Sequence, residues 1–183
     1  MIKKLGDGNF TQVFQVIHKK FPKGQNYALK ICEIQKVENM RRENDILLEK
    51  HSLNKIREKY AKEMPSVKII ATFKDHLNLY FLTEIFKSKL EIWEHCRSFG
   101  LLQDDLIRYC FLKICQQVMK LHDIGIIHRD LKPENMFFTD DEMNGVKLID
   151  FGSSDDLEKP ELRRTFINND PKRGMHEYFV GTS

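Results

Sequence analysis

The sequence predicts an α+β protein of two lobes: a first lobe of antiparallel strands with one helix, and a second, mainly helical lobe. Before residue 85, short segments rich in β-branched and aromatic residues are separated by turn-forming residues. After residue 85, apolar residues recur at helical spacing. Strands that come first and helices that follow are typical of α+β folds. We therefore divide the chain into residues 1–85 and residues 86–183.

Two pairs of strands and a helix are predicted in the first lobe. The strands are expected at residues 13–17, 27–31, 67–73 and 79–83, with turns at 22–24 and 75–78. Apolar spacing predicts a helix over residues 36–50. The residues expected near one face of this helix are Val37, Met40, Asn44, Leu47 and Leu48. The highly charged stretch 51–66 is interpreted as a connection that contains some helix.

The second lobe centres on a predicted helix over residues 105–122. Its apolar residues surround much of the helix, so burial on most sides is expected. They are Leu106, Ile107, Tyr109, Phe111, Leu112, Ile114, Val118, Met119 and Leu121. Short strands are predicted at 136–139 and 146–149. The polar stretch 153–179 has no clear period, which predicts a long loop.

Composition sets limits on the class of protein and its partners. The 183 residues are 41% hydrophobic and 31% charged, which is ordinary for a folded, soluble chain. A net charge of +3 gives no case for a nucleic-acid partner. No segment approaches the roughly 18–20 apolar residues of a membrane span, so no membrane segment is expected. Four scattered cysteines suggest free thiols and a cytoplasmic location, with the nucleus as the alternative.

The most informative string is His-Arg-Asp-Leu-Lys-Pro-Glu-Asn at residues 128–135. Asp150-Phe151-Gly152 follows fifteen residues after Asn135. Phosphoryl transfer requires a group that orients a hydroxyl and accepts its proton. It also requires oxygen ligands that hold Mg²⁺ on the phosphates. Asp130, Asn135 and Asp150 are residues of the right types for these tasks.

These two strings resemble the catalytic loop and the magnesium-binding triplet of protein kinases. The resemblance extends over residues 2–183. Lys132-Pro133-Glu134 is the serine/threonine variant of the loop. Within the family the chain is most similar to the AGC group, and to phosphoinositide-dependent kinases in particular. Three segments carry that likeness, at residues 42–46, 125–130 and 179–182.

The resemblance implies a role for each catalytic residue. Asp130 would be the catalytic base and Lys132 would steady the γ-phosphate, while Asn135 and Asp150 would hold magnesium. Lys30 would pair with the α- and β-phosphates. Glu43, four residues before Leu47 on the inward face of the predicted helix, would hold Lys30 in place. Glu38 and Glu49 are alternatives for this last role.

An ATP site is implied in the same way. Residues 5–13 resemble the glycine-rich loop, although Thr11 replaces its third glycine. Residues 79–86 resemble the hinge between the two kinase lobes. Thr83 would lie behind the adenine, and the backbone of Glu84 and Phe86 would form hydrogen bonds with the adenine. The expected ATP contacts are Gly6, Gly8, Phe10, Val13, Ala28, Lys30, Thr83, Glu84, Phe86 and Phe137. ATP and Mg²⁺ are the expected cofactors.

The expected function is therefore transfer of the ATP γ-phosphate to a serine or threonine of a protein substrate. An ATP-binding scaffold and an inactive truncated kinase are the alternatives, and Lys132-Pro133-Glu134 argues against a small-molecule or lipid acceptor. The chain stops at Ser183, before the Ala-Pro-Glu anchor of the family. We therefore expect a kinase fragment with an incomplete second lobe that leaves one apolar stripe of the 105–122 helix uncovered. Alone, it is expected to be prone to aggregation or partly unfolded in its second half, with little or no kinase activity. Arg129 is expected to pair with a phosphate at Thr165 or Tyr178.

Overall fold

The computed structural model describes residues 3–17, 25–61, 63–86, 104–140 and 143–159. These residues divide into two compact units. The first unit contains the described residues up to Leu47 together with Lys68–Ile85. The second contains Leu48–Val67 and the described residues from Phe86 onward. Residues 48–67 thus group with the second unit, whereas the sequence-based division assigned them to the first lobe; that division stays a prediction about functional lobes.

An antiparallel sheet of five strands forms the first unit, in the order β1-β2-β3-β5-β4. The strands are β1 Lys3–Asp7, β2 Thr11–Ile17, β3 Asn26–Glu33, β4 Ile69–Lys74 and β5 Asn78–Glu84. The strands predicted from the sequence are confirmed. The turn predicted at residues 22–24 lies outside the described residues.

The turn between β4 and β5 lies where the sequence predicts it. Asp75 accepts hydrogen bonds from the backbone N–H groups of Leu77 and Asn78 at 2.8 and 2.7 Å. The Tyr80 hydroxyl donates to the same carboxylate at 2.7 Å. The bond from Tyr80, followed by the two backbone bonds, lowers the pKa of Asp75. A short polar side chain that closes its own turn explains why this hairpin is readable from local sequence.

The helix predicted over residues 36–50 is wrong in its extent. There are two helices, α1 at Ile34–Asn39 and α2 at Glu43–Lys59. Arg41 between them has φ +54°, a left-handed conformation that ends α1. Met40 is consequently 41% exposed rather than part of a buried helix face. The acidic first turn of α2 restarts the helix, because negative charge is favoured at a helix N-terminus.

The continuation of α2 through residues 51–59 corrects the predicted connection at 51–66. Leu53 and Ile56 are buried, but so are His51 and Ser52, so this stretch has a polar as well as an apolar inner surface. A prediction from the spacing of apolar residues does not detect a helix whose buried face includes polar residues.

One long helix and two small sheets complete the second unit. The helix is α3 at Asp104–Asp123. The strands are β6 Ile126–Ile127, β7 Met136–Phe138, β8 Val146–Leu148 and β9 Asp155–Asp156. β6 pairs with β9 and β7 with β8, in both cases antiparallel. The strand β9 corrects the loop predicted at 153–179, since it forms by pairing with a segment far away in sequence. Residues 160–179 lie outside the described residues.

Burial of α3 on most sides, as expected from its composition, is not observed. Cys110 and Leu121 are buried, whereas Phe111 is 67% exposed and Met119 is 64% exposed. The further large side chains exposed on α3 are Ile107, Tyr109 and Leu112. An apolar stripe of this helix is therefore uncovered by the described residues. None of the helices in the described residues is long and apolar enough to cross a membrane.

Candidate active site

The catalytic loop forms around the carboxylate of Asp130 in the second unit. Lys132 Nζ and Asn135 Nδ2 donate to Asp130 Oδ2 at 2.8 and 2.9 Å. Asn135 Nδ2 also donates to the backbone oxygen of Asp130 at 2.9 Å. The hydrogen bond from Lys132 is the main cause of a lowered pKa at Asp130. The structure therefore holds Asp130 as an oriented carboxylate, and three predicted site residues come together.

A short 3-10 turn at Pro133–Asn135 brings Asn135 back toward Asp130. Proline at the start of the turn fixes its own φ and needs no N–H partner there. The backbone N–H of Asn135 donates to the Lys132 oxygen at 2.9 Å. Asn135 itself is 5% exposed. Sequence order alone thus explains how residues 130 and 135 become neighbours.

His128 joins the catalytic loop to the residue before the triplet. Its Nε2–H donates to the Ile149 oxygen at 2.9 Å, and its Nδ1 accepts from the backbone N–H of Asp130 at 3.3 Å. This pair of bonds requires the neutral Nε2–H tautomer. Burial is the main cause of a lowered pKa at His128, in agreement with a neutral ring. The Ile149 N–H in turn donates to the Asn135 oxygen at 3.0 Å.

The exposed side chain of Asp150 follows this anchored residue. Asp150 has φ +60°, a left-handed conformation that is uncommon outside glycine. Phe151 next to it is fully buried, with its ring 4.7 Å from the His128 ring in an edge-on arrangement. A strained residue between two anchored neighbours is a frequent feature of functional sites.

Two residues expected to contact adenine meet in the second unit. The rings of Phe86 and Phe137 stack with centroids 5.3 Å apart. Lys147 Nζ lies 6.0 Å from the centroid of the Phe86 ring. These contacts provide an apolar surface at the start of the second unit, which is the kind of surface that a planar base requires.

The glycine-rich loop of the first unit is the turn between β1 and β2. The Gly8 N–H donates to the Thr11 oxygen at 2.8 Å. A Cβ on Gly8 would lie 2.7 Å from Thr11 Oγ1, whereas a Cβ on Gly6 would meet only Val13 at 4.0 Å. Thr11, which replaces the third family glycine, is thus accommodated by Gly8. Phe10 at the loop tip accepts a hydrogen bond from the Glu33 N–H at 3.2 Å through its backbone oxygen.

The remaining first-unit positions lie on β3 and β5. Lys30 is the register partner of Val13 on β2, and Ala28 is the partner of Thr83 on β5. Lys30 Nζ lies 5.9 Å from the centroid of the Phe81 ring. Glu43 is the first residue of α2 and is 8% exposed. The pairing of Lys30 with Glu43, and the alternatives Glu38 and Glu49, stay predictions.

At the end of β5, the Glu84 N–H is already bonded to the Lys68 oxygen at 2.9 Å. The Glu84 backbone oxygen accepts a hydrogen bond from Thr83 Oγ1 at 3.1 Å. The backbone role predicted for Glu84 stays a prediction.

The donor chemistry of the predicted metal ligands suits a magnesium ion. Asn135 uses its amide nitrogen for Asp130, which leaves an amide oxygen as its metal-binding atom, and Asp150 has an exposed carboxylate. No group of three or more His, Cys, Asp or Glu side chains within the described ranges could hold a metal by itself. Mg²⁺ sites commonly combine one or two carboxylates with substrate phosphates and water.

Sequence reasoning missed the residues that fix the segment after the triplet. His51, Ser52 and Lys55 on α2 bond to Ser154 and Asp156. The available signal was the spacing of four between His51 and Lys55, which places both on one face of a helix. The interpretation of residues 51–66 as a connection leaves this spacing out of account.

This fold and catalytic loop define a protein kinase domain. The protein kinase domain family matches residues 1–174, and the chain belongs to that family. The serine/threonine, AGC-like resemblance is supported by serine/threonine-protein kinases among the relatives of the chain. The α+β fold class, with an antiparallel sheet and a partial helical second lobe, is likewise confirmed.

Curated fungal relatives specify the likeness further. The chain is 31% identical over 184 residues to serine/threonine-protein kinase PKH1 of Saccharomyces cerevisiae, covering 99% of this chain and 23% of the relative. It is 30% identical over 157 residues to serine/threonine-protein kinase PKH2 of Candida albicans, covering 86% and 16%. With serine/threonine-protein kinase ppk21 of Schizosaccharomyces pombe the identity is 28% over 180 residues, covering 98% and 30%. The chain thus spans less than a third of the length of each.

Proposed function

We propose that this chain carries the catalytic groups of a serine/threonine protein kinase that transfers the γ-phosphate of ATP to a protein hydroxyl. The observation that carries the proposal is the carboxylate of Asp130, oriented by Lys132 and Asn135 at 2.8 and 2.9 Å. The serine/threonine kinases among the relatives support the same reaction class.

Asp130 is assigned the role of orienting the acceptor hydroxyl and taking its proton. The lowered pKa keeps Asp130 ionised at neutral pH, so it is ready to accept a hydrogen bond. A carboxylate of low pKa is a weak base, which suits a loose transition state in which the nucleophile is positioned more than deprotonated. Lys132, hydrogen-bonded to the same carboxylate, supplies positive charge beside the transferred group.

ATP and Mg²⁺ are the proposed cofactors. Asn135 and Asp150 would hold the metal, which when bound neutralises charge on the phosphates. Gly6, Gly8, Phe10 and Lys30 would lie at the phosphates. The proposed adenine contacts are Val13, Ala28, Thr83, the backbone of Glu84 and Phe86, and Phe137. Glu43 would hold Lys30. The proposed partner is a protein with a serine or threonine acceptor, in the cytoplasm or nucleus.

Phosphate transfer from labelled ATP to a generic protein substrate tests this proposal. The wild-type chain should label serine or threonine in the presence of Mg²⁺, and Asp130→Asn should not. Lys59→Met, at the exposed end of α2, is the control. ATP binding without labelling in the wild type would contradict transfer and favour the scaffold alternative. Absence of both binding and labelling would contradict the ATP site as well.

A further inference from the structure

A buried ion-paired carboxylate attaches the segment after the triplet to α2. Asp156 is 1% exposed. Its Oδ2 accepts from His51 Nε2 at 2.7 Å, and Lys55 Nζ donates to Oδ1 and Oδ2 at 2.8 and 2.9 Å. An ionised carboxylate is strongly disfavoured away from water unless it is paired, so Asp156 is stable in this place only with these partners. Lys55 and His51 precede Asp156 by 101 and 105 positions in the sequence.

A second connection runs through two buried serines. Ser154 Oγ donates to the Phe151 backbone oxygen at 2.6 Å. Since a hydroxyl has one hydrogen, the 2.8 Å bond between Ser52 Oγ and Ser154 Oγ must be donated by Ser52. The Ser154 N–H also donates to the Phe151 oxygen at 3.0 Å. The helix α2 thus reaches the backbone of Phe151 through one intermediate side chain.

Asp150 lies between this connection and the catalytic loop. On one side, both backbone groups of Ile149 are bonded to the loop, by His128 and Asn135. On the other, the carbonyl of Phe151 is fixed by Ser154. The left-handed φ of Asp150 needs such support from both sides, because it is disfavoured for a residue with a side chain.

We propose that His51, Ser52 and Lys55 are positioning residues for the metal ligand Asp150. They hold residues 151–156 and so set the backbone from which the Asp150 carboxylate extends. This inference rests on the proposed function, because it takes Asp150 as a ligand of Mg²⁺ bound with ATP. Groups that orient a metal ligand without touching the metal commonly change metal affinity by about 10–100-fold when they are removed.

The proposal is distinct from a merely stabilising role for the same contacts. A stabilising role predicts a lower melting temperature with an unchanged requirement for Mg²⁺ in the folded protein. A positioning role predicts that the folded variants need more Mg²⁺ while their affinity for metal-free ATP is retained. The two roles are separated by measuring binding well below the melting temperature of each variant.

The experiment measures the Mg²⁺ concentration that gives half-maximal ATP binding to the full chain. We expect Lys55→Met and His51→Gln to raise this concentration by about tenfold. Lys55→Arg keeps a cation that can donate to both oxygens of Asp156, so it should remain within about threefold of wild type. Lys59→Met, the same change one turn farther along α2, should leave the value unchanged. Affinity for ATP in the presence of a chelator should be equal in all five proteins.

Hydrogen exchange without nucleotide or metal gives a second readout. The amides of Ser154 and Leu157, which donate to Phe151 and Gly125, should exchange faster in Lys55→Met than in Lys59→Met. Ser52→Ala removes one hydroxyl and leaves the ion pairs, so it provides a folded variant if the others unfold. It should also raise the Mg²⁺ requirement, by at least about twofold.

Unchanged Mg²⁺ requirements in the folded variants, including Ser52→Ala, would overturn the inference while leaving the proposed function intact. If the wild type bound ATP with no dependence on Mg²⁺, the proposed function itself would fail, and this inference with it. An equal rise in the Mg²⁺ requirement of Lys55→Met and Lys59→Met would also overturn the inference. The effect would then come from the loss of a positive charge and not from the position of Lys55.

Discussion

At the scale of single residues, polar side chains of the catalytic loop form hydrogen bonds that hold one another and the neighbouring backbone in place. Asp130 and Asn135 each take part in two or more hydrogen bonds within the catalytic loop, and His128 Nδ1 accepts one there from the Asp130 N–H. The neutral His128 ring connects that loop to Ile149. These side chains of the catalytic loop are therefore oriented by bonds that leave little rotational freedom.

Replacement of Asp130 gives the most direct test at this scale. Asp130→Asn should lower the rate of phosphate transfer by about 10²–10⁴-fold, the usual effect of a positioned acid–base group. ATP affinity should change little, since Asp130 is assigned to the acceptor hydroxyl. Steady-state kinetics with a protein substrate, combined with nucleotide titration, measures both quantities. A variant that retains half of the wild-type rate would contradict the role.

Asp156 provides a prediction about pH. Burial by itself raises its pKa, but hydrogen bonds from His51 and Lys55 outweigh burial, so the net pKa is lowered. A carboxylate with a lowered folded-state pKa stabilises the protein above its unfolded pKa of about 3.9, and this stabilisation is lost as pH falls through the folded value. Glu158, which also pairs with Lys55, is the other acid in the cluster.

Asp156→Asn should therefore lower the free energy of unfolding at pH 7 by about 1–3 kcal/mol, since it leaves buried donors imperfectly paired. The difference from wild type should begin to shrink below about pH 4, where the carboxyl of the unfolded chain becomes protonated, and shrink further as pH falls through the lower folded-state pKa. Denaturant unfolding at a series of pH values measures this. A difference that is constant from pH 7 to pH 3 would show that the charge of Asp156 does not matter.

At the scale of secondary-structure elements, the turn between β1 and β2 shows how a departure from the family pattern is accommodated. Thr11 occupies the position of the third glycine, and its Oγ1 lies 2.7 Å from the position that a Cβ on Gly8 would take. The turn keeps its backbone bond from Gly8 to Thr11. The loop thus depends more strongly on Gly8 than on Gly6.

This dependence can be measured with paired alanine variants. Gly8→Ala should destabilise the chain by about 1 kcal/mol, because Thr11 must move to relieve the contact. Gly6→Ala should have a smaller effect on stability, and the double variant Gly8→Ala/Thr11→Ala should recover most of the loss. Thermal or denaturant unfolding of these variants and wild type measures the effects, and Thr11→Ala completes the cycle for Gly8 and Thr11. Equal effects of the two single glycine replacements would contradict the steric explanation.

Substitutions on the buried and exposed faces of α3 should have contrasting effects on stability, large on the buried face and small on the exposed one. Leu121→Ala removes a fully buried side chain and should lower the free energy of unfolding by about 2–5 kcal/mol. Phe111→Lys changes a side chain that is 67% exposed, so stability should change by only about 0.5 kcal/mol. It should also reduce self-association, because it interrupts an exposed apolar stripe. Denaturant unfolding and light scattering measure the two effects, and large destabilisation by Phe111→Lys would show that this face is covered.

At the scale of the whole molecule, ligand binding should be visible as stabilisation. If the folded chain binds ATP with Mg²⁺, a ligand concentration 100 times the Kd should stabilise it by about 2.7 kcal/mol. Asp150→Asn should lose the part of this stabilisation that depends on Mg²⁺ and keep the part due to ATP alone. Melting curves with ATP, with and without Mg²⁺, measure the difference. Stabilisation of Asp150→Asn that depends on Mg²⁺ as in wild type would exclude Asp150 as the metal ligand.

Features with local physical causes were determined by the sequence alone. The β4–β5 turn follows from Asp75 and its near neighbours, and the proximity of Asp130 to Asn135 follows from a single turn begun by Pro133. Strand propensity placed β2, β3, β4 and β5. The motif at residues 128–135 was sufficient to indicate the family, which the family comparison confirms. The individual site roles stay predictions to be tested as described above.

Tertiary structure alone decided the features that depend on partners distant in sequence. The extension of α2 to Lys59 is explained by burial of His51 and Ser52, and Lys55 is paired with Asp156, 101 residues away. The strand β9 exists only because Ile126–Ile127 is available to pair with it. A polar residue can be buried when a partner meets its hydrogen-bonding needs, and local sequence does not reveal that partner. The exposure of one face of α3 also depends on tertiary structure, because an apolar surface is buried only where another element covers it.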